Sequence, residues 1–67
     1  MKIVYDKETD TLTIVLSDEK IKESDEVRPG VIADFGYGNQ VVRFEILSAS
    51  KHVQHPNAVA YELLKAV

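Results

Sequence analysis

The sequence predicts an α+β domain: a small antiparallel sheet of four to five strands, built from two hairpins, with a C-terminal helix packed on one face. Three observations predict it. Two β-branched or aromatic runs, Lys2–Tyr5 and Thr11–Leu16, flank a short polar segment, the pattern of a hairpin. A second pair, Val31–Phe35 and Gln40–Ile46, flanks Gly36-Tyr37-Gly38-Asn39. Beyond Leu47 the apolar spacing changes from period two to period three and four, as in a helix.

In the first hairpin the loop is Asp6-Lys7-Glu8-Thr9-Asp10, of ordinary hairpin length. Leu12, Ile14 and Leu16 alternate with Thr11, Thr13 and Val15, so the first set is expected on the core side and the second outward. Val15 among the outward residues suggests a surface that is not wholly solvated. Ile21–Val27 holds Lys22, Glu23, Ser24, Asp25 and Glu26 between apolar ends. It is expected to be an extended edge segment whose charges discourage unwanted pairing. Arg28-Pro29-Gly30 punctuates the chain, and Gly36 and Gly38 are available for left-handed turn conformations. In the last strand Val42, Phe44 and Ile46 share one face, with Val41, Arg43 and Glu45 on the other. Ser48 or Ser50 could cap a short helix. His55-Pro56 disfavours helix before it. Asn57 is then the expected N-cap of a helix over Ala58–Lys65, with Ala60, Leu63, Leu64 and Val67 on one face.

A chain of 67 residues is one domain and buries only about 60% of its unfolded surface, so its core is marginal. Small domains compensate with disulfides, metals or oligomerisation. Cysteine is absent, which leaves oligomerisation and predicts a homo-oligomer or a small protein partner. Eleven acidic against eight basic residues give a net charge of −3, which opposes direct nucleic-acid binding. No apolar stretch approaches the ~20 residues of a membrane span. The early acid at Asp6 does not suit a signal peptide, and a cytoplasmic location is expected.

Four pieces stand out together: Ile3-Val4-Tyr5-Asp6, Asp10 through Leu16, Ser24 and Glu26, and Pro29 through Asp34. The most specific piece is Gly38-Asn39-Gln40-Val41-Val42-Arg43-Phe44-Glu45-Ile46-Leu47-Ser48-Ala49-Ser50. With these the chain resembles the DUF2283 family of small bacterial and archaeal proteins. Members usually carry an acidic turn where this chain has Gly36-Tyr37-Gly38, and Gly-Ile-Glu-Ile where it has Arg43-Phe44-Glu45-Ile46. A cation role for that turn is therefore not carried over. The family's function is not established. Its members resemble components encoded beside other small proteins, an arrangement like toxin–antitoxin pairs, which implies partner binding.

Asp6 and Asp10 could converge on a hard cation, although such loop aspartates ordinarily accept backbone N–H bonds. His52 and His55, three apart, would share a helical face and could bind Zn²⁺ or Ni²⁺, but a catalytic zinc normally has three protein ligands. Glu26, Asp34 and Glu45 are acids on or near strands with no nucleophile or histidine beside them in sequence. Glu45 is expected to pair with Arg43 or a cross-strand lysine. No serine sits in a nucleophile elbow, and no lysine follows the glycines as in a phosphate loop. No cofactor is implied. The sequence therefore points to a non-enzymatic interaction module, with Glu23, Asp25, Glu26, Val59, Tyr61 and Leu63 as the expected partner surface. A small-ligand or metal-binding protein is the alternative.

Overall fold

The computed structural model describes residues 1–64. Five strands, β1 (Lys2–Asp6), β2 (Thr11–Val15), β3 (Ile21–Arg28), β4 (Val31–Gly36) and β5 (Val41–Ile46), form one antiparallel sheet. Their order is β1-β2-β5-β4-β3. The β1–β2 hairpin thus docks against β5, the last strand of a β3–β4–β5 meander. Only the β2–β3 connection crosses the sheet. A single 3-10 turn, Ala49–Lys51, follows β5.

The turns have definite local causes. Asp6 accepts the backbone N–H groups of Glu8 (3.0 Å) and Thr9 (3.5 Å), and Asp10 takes a left-handed φ of 52° to re-enter β2. Between β3 and β4, Gly30 supplies a φ of 80°, which glycine adopts without a steric penalty. In the β4–β5 turn the left-handed residue is Asn39, at 62°, and not Gly36 or Gly38. Asparagine tolerates this region because its short amide bonds locally.

Register assigns the paired strand side chains to a face. Ile3, Ile14, Phe44, Ala33 and Asp25 lie in one cross-strand row, and Tyr5, Leu12, Ile46, Val31 and Arg28 in the next. The opposite face carries Val4, Thr13, Glu45, Ile32 and Glu26 in one row, and Lys2, Val15, Arg43, Asp34 and Ser24 in another. One face is therefore apolar except along β3, and the other is mixed. Leu12 and Ile14 lie on the face opposite Thr13 and Val15 as expected, but only Leu12 is buried, and Leu16, expected on the core side, is exposed. In β5 the alternation holds from Val42 onward. A bulge between the Asp34–Arg43 and Phe35–Val41 pairs returns Val41 to the apolar side, as an extra residue in one strand does.

The α+β expectation is corrected. Among the described residues there is no α-helix, and Ala58 to Leu64 have no regular structure. His55 holds a left-handed φ of 52°, and Asn57 lies within a turn in which the Ala58 N–H bonds the His55 carbonyl at 2.9 Å. An eight-residue helix is too short to be stable without a packing surface, whatever its propensity. Val59, Tyr61 and Leu63 are 60%, 73% and 81% exposed, so no such surface meets them. Lys65 and Val67 lie outside the described residues. Over the described residues the domain is all-β.

With no helix on the sheet, the core is thin. Leu12, Ala33, Val42 and Ala49 are its buried apolar residues, and two of the four are alanines. Ile14, Phe44 and Ile46 remain half-buried. Extensive packing between elements joins only neighbouring strands. A sheet with one apolar face ordinarily buries it under a second layer. Here the chain supplies no such layer among the described residues.

Candidate functional site

The mixed face is organised around Asp34. Its outward phase in β4 places it beside Ser24 of β3 and Arg43 of β5. The side chain is fully buried, yet both oxygens are engaged. Ser24 Oγ donates to Oδ1 at 2.5 Å, and Arg43 Nε donates to Oδ2 at 2.7 Å. Arg43 Nη2 also reaches Glu45 Oε2 at 3.5 Å. One carboxylate therefore ties three strands together. Charge-assisted bonds of this length are stronger than neutral ones, and a buried carboxylate without them would be costly.

Two acids share one guanidinium, and their titrations move apart. Burial works to raise the Asp34 carboxyl, but hydrogen bonds from Glu45, Ser24 and Arg43 outweigh it and hold the group below its ordinary 3.8. Glu45 moves upward from 4.5, first because its protonated form bonds Asp34, then through burial and repulsion from that carboxylate. The bond that Arg43 donates to Asp34 pushes the guanidinium higher still and keeps it charged. Near neutral pH the cluster holds two negative charges against one positive. A proton that Glu45 takes up as pH falls can be presented to Asp34.

The signs of the pH dependence follow by linkage. The Glu45 contribution is fully present below 4.5 and is lost as pH rises through its raised native value. The Asp34 contribution is present above 3.8 and is lost as pH falls through its lowered native value. Glu45→Gln presents an N–H to Asp34 at all pH values, without a second negative charge. Relative to the parent, this variant is expected to gain up to about 1 kcal/mol at neutral pH, the worth of one net hydrogen bond. The advantage should vanish as pH approaches 4.5. Urea titrations of both proteins across this range check it. A constant difference between the two would contradict the shared-proton description.

A second polar centre anchors the end of the sheet. Asp10 accepts the Tyr5 hydroxyl at 2.6 Å, the Ser50 hydroxyl at 2.6 Å and the Ser50 N–H at 3.1 Å. The Ala49 N–H bonds the Asp10 carbonyl at 2.8 Å, and Ala49 is fully buried. Ser50 donates first among the groups that lower the Asp10 pKa, and the Asp10 bond is the first cause that raises Tyr5. Asp6 and Asp10 are thus occupied in separate tasks, one fixing the loop and the other holding the segment after β5. Ser48 makes no side-chain cap; Ser50 serves as a clasp.

The other sequence candidates are dispersed. Glu23, Asp25 and Glu26 all lie exposed on the edge strand β3, opposite Phe35, Ala33 and Ile32 respectively. Glu23 and Asp25 therefore share the apolar face's side and Glu26 the other, so they form no single acidic patch. Val59, Tyr61 and Leu63 project from an irregular segment and not from one helical stripe. His52 lies where a 3-10 turn ends, and no helix continues to His55. Among the described residues, no three His, Asp or Glu side chains are grouped to hold a metal ion. No helix among them is long and apolar enough to cross a membrane.

The expected Arg43–Glu45 contact is present, but the shorter partner of Arg43 is Asp34. Hairpin counting misses that signal: stepping back from the Gly36–Gln40 turn pairs Phe35 with Val41 and would pair Asp34 with Val42, and only the bulge brings Asp34 beside Arg43. Ser24 needs the β3–β4 register as well. The Asp10–Ser50 clasp, 40 residues apart, has no local signature.

No curated protein and no solved structure matches the chain. The family described as a protein of unknown function, DUF2283, matches residues 2–50. That span holds all five strands, the Asp34 cluster and the Asp10–Ser50 clasp. By this match over most of its length, the chain belongs to the DUF2283 family.

Proposed function

We propose that the chain is a non-enzymatic interaction module that works as a homodimer or bound to a small partner protein in the cytoplasm. The observation that carries this reading is the apolar sheet face, which the described residues leave without a second layer. Ile3 and Leu16 remain 38% and 42% exposed on it, and an isolated sheet of this kind gains stability when its apolar face is covered. The polar geometry supports the same reading. Asp34 is buried and fully engaged, so it braces strands, and Ser24 spends its hydroxyl proton on that carboxylate. A cysteine-free chain also suits a reducing compartment.

An antitoxin-like form of this proposal has Glu23, Asp25 and Glu26 meeting a basic partner. Because these acids project to both sides of β3, such a partner would grip the strand edge. Native purification of the tagged chain from its own host, followed by intact-mass measurement, tests the general reading. A stoichiometric complex, with a second copy or one small protein, is the expected result. A folded monomer carrying nothing at every accessible concentration would contradict it.

A further inference from the structure

We infer that the apolar sheet face is covered by a second copy of this chain, packed sheet against sheet as a twofold β-sandwich. This rests on the association reading above and names its partner and its surface. Area supports it first. The sheet has five strands, and β2 and β5 contain five and six residues. At about 4.8 Å between strands and about 3.3 Å per residue, the face measures roughly 24 by 18 Å. Two such faces come to roughly 860 Å² as flat areas, so with side-chain relief added they approach the ~1,000 Å² that separates specific interfaces from casual contacts.

Composition supports it next. The middle of the face is apolar, with Ile14, Phe44 and Ile46 half-buried, while charge is confined to the β3 rim at Glu23, Asp25 and Arg28. An apolar centre with a polar rim is the usual interface plan, and an apolar face is complementary to itself under twofold symmetry. The remaining surfaces suit self-association less. β3 has two register irregularities and five charges, Lys22, Glu23, Asp25, Glu26 and Arg28, among its eight residues, features that blunt an edge. The opposite face satisfies its buried carboxylate internally through Ser24 and Arg43.

Ile3 and Val4 make a matched test. They are neighbours on β1, 38% and 40% exposed, but register puts Ile3 on the apolar face and Val4 on the other. Sedimentation equilibrium of the full chain, Ile3→Lys, Val4→Lys and Leu16→Lys measures the dimer constant, with circular dichroism confirming that each variant retains its sheet. The expected result is a dimeric parent, association weakened at least about tenfold by Ile3→Lys and by Leu16→Lys, and little change with Val4→Lys. A dimer broken by Val4→Lys and spared by the other two would overturn the assigned face while leaving association standing. A monomeric parent that binds a different small protein would overturn the second copy as occupant. A monomer that binds nothing would remove the broader reading as well.

Discussion

Asp34→Ala is expected to destabilise the fold by about 2–4 kcal/mol, a large part of what so small a domain can hold. The substitution leaves Arg43 without its 2.7 Å partner and Ser24 without its acceptor. It also opens space at a fully buried position. Loss of one member of a buried ion pair costs more than the pair's net worth, because the other charge stays behind. Arg43 is 36% exposed, so water recovers part of the loss and the upper end of the usual range is not reached. Asp34→Asn keeps volume and one acceptor and should cost roughly half as much. Equilibrium denaturation checks both. An alanine variant within about 0.5 kcal/mol of the parent, the range of ordinary surface changes, would show that the cluster does not brace the sheet.

The same residues show how far a sequence of this kind discloses its fold. Leu12 and Ile14 against Thr11 and Thr13, and Phe44 and Ile46 against Arg43 and Glu45, give the strands and their faces, because period two is a property of the strand itself. The β3 edge is legible for a similar reason: charges at Lys22, Glu23, Asp25 and Glu26 suit a strand paired on one side only. The Ala58–Lys65 helix fails where propensity is asked to replace packing. Ala60, Leu63 and Leu64 have the right spacing, but nothing in the described structure docks against them. Spacing alone cannot show whether a surface is waiting.

The site was legible in its parts more than in its assembly. Glu45 and Arg43 announce a polar stripe, and Asp34 stands out as an acid in an otherwise apolar strand. Their meeting depends on β4 and β5 being neighbours in one particular register. The Asp10–Ser50 clasp depends on the course of the chain after β5, which brings together residues separated by most of the domain. Strand order is likewise a global property: β2 lies against β5 and not β3, and alternation within a strand says nothing about its neighbour.

Thermal unfolding that depends on protein concentration is the second large effect expected. If the apolar face is buried only on association, then unfolding also dissociates the protein, and mass action enters the midpoint. With an unfolding enthalpy near 0.7 kcal/mol per residue over two copies, about a hundredfold dilution should lower Tm by roughly 10 °C. A stable monomer has no such dependence. The decisive measurement is therefore the calorimetric midpoint of the unmodified full chain across that concentration range. A steady fall of this size on dilution is what an uncovered sheet face requires, whereas a midpoint constant to within a degree or so would show that the single layer is stable on its own and contradict the account.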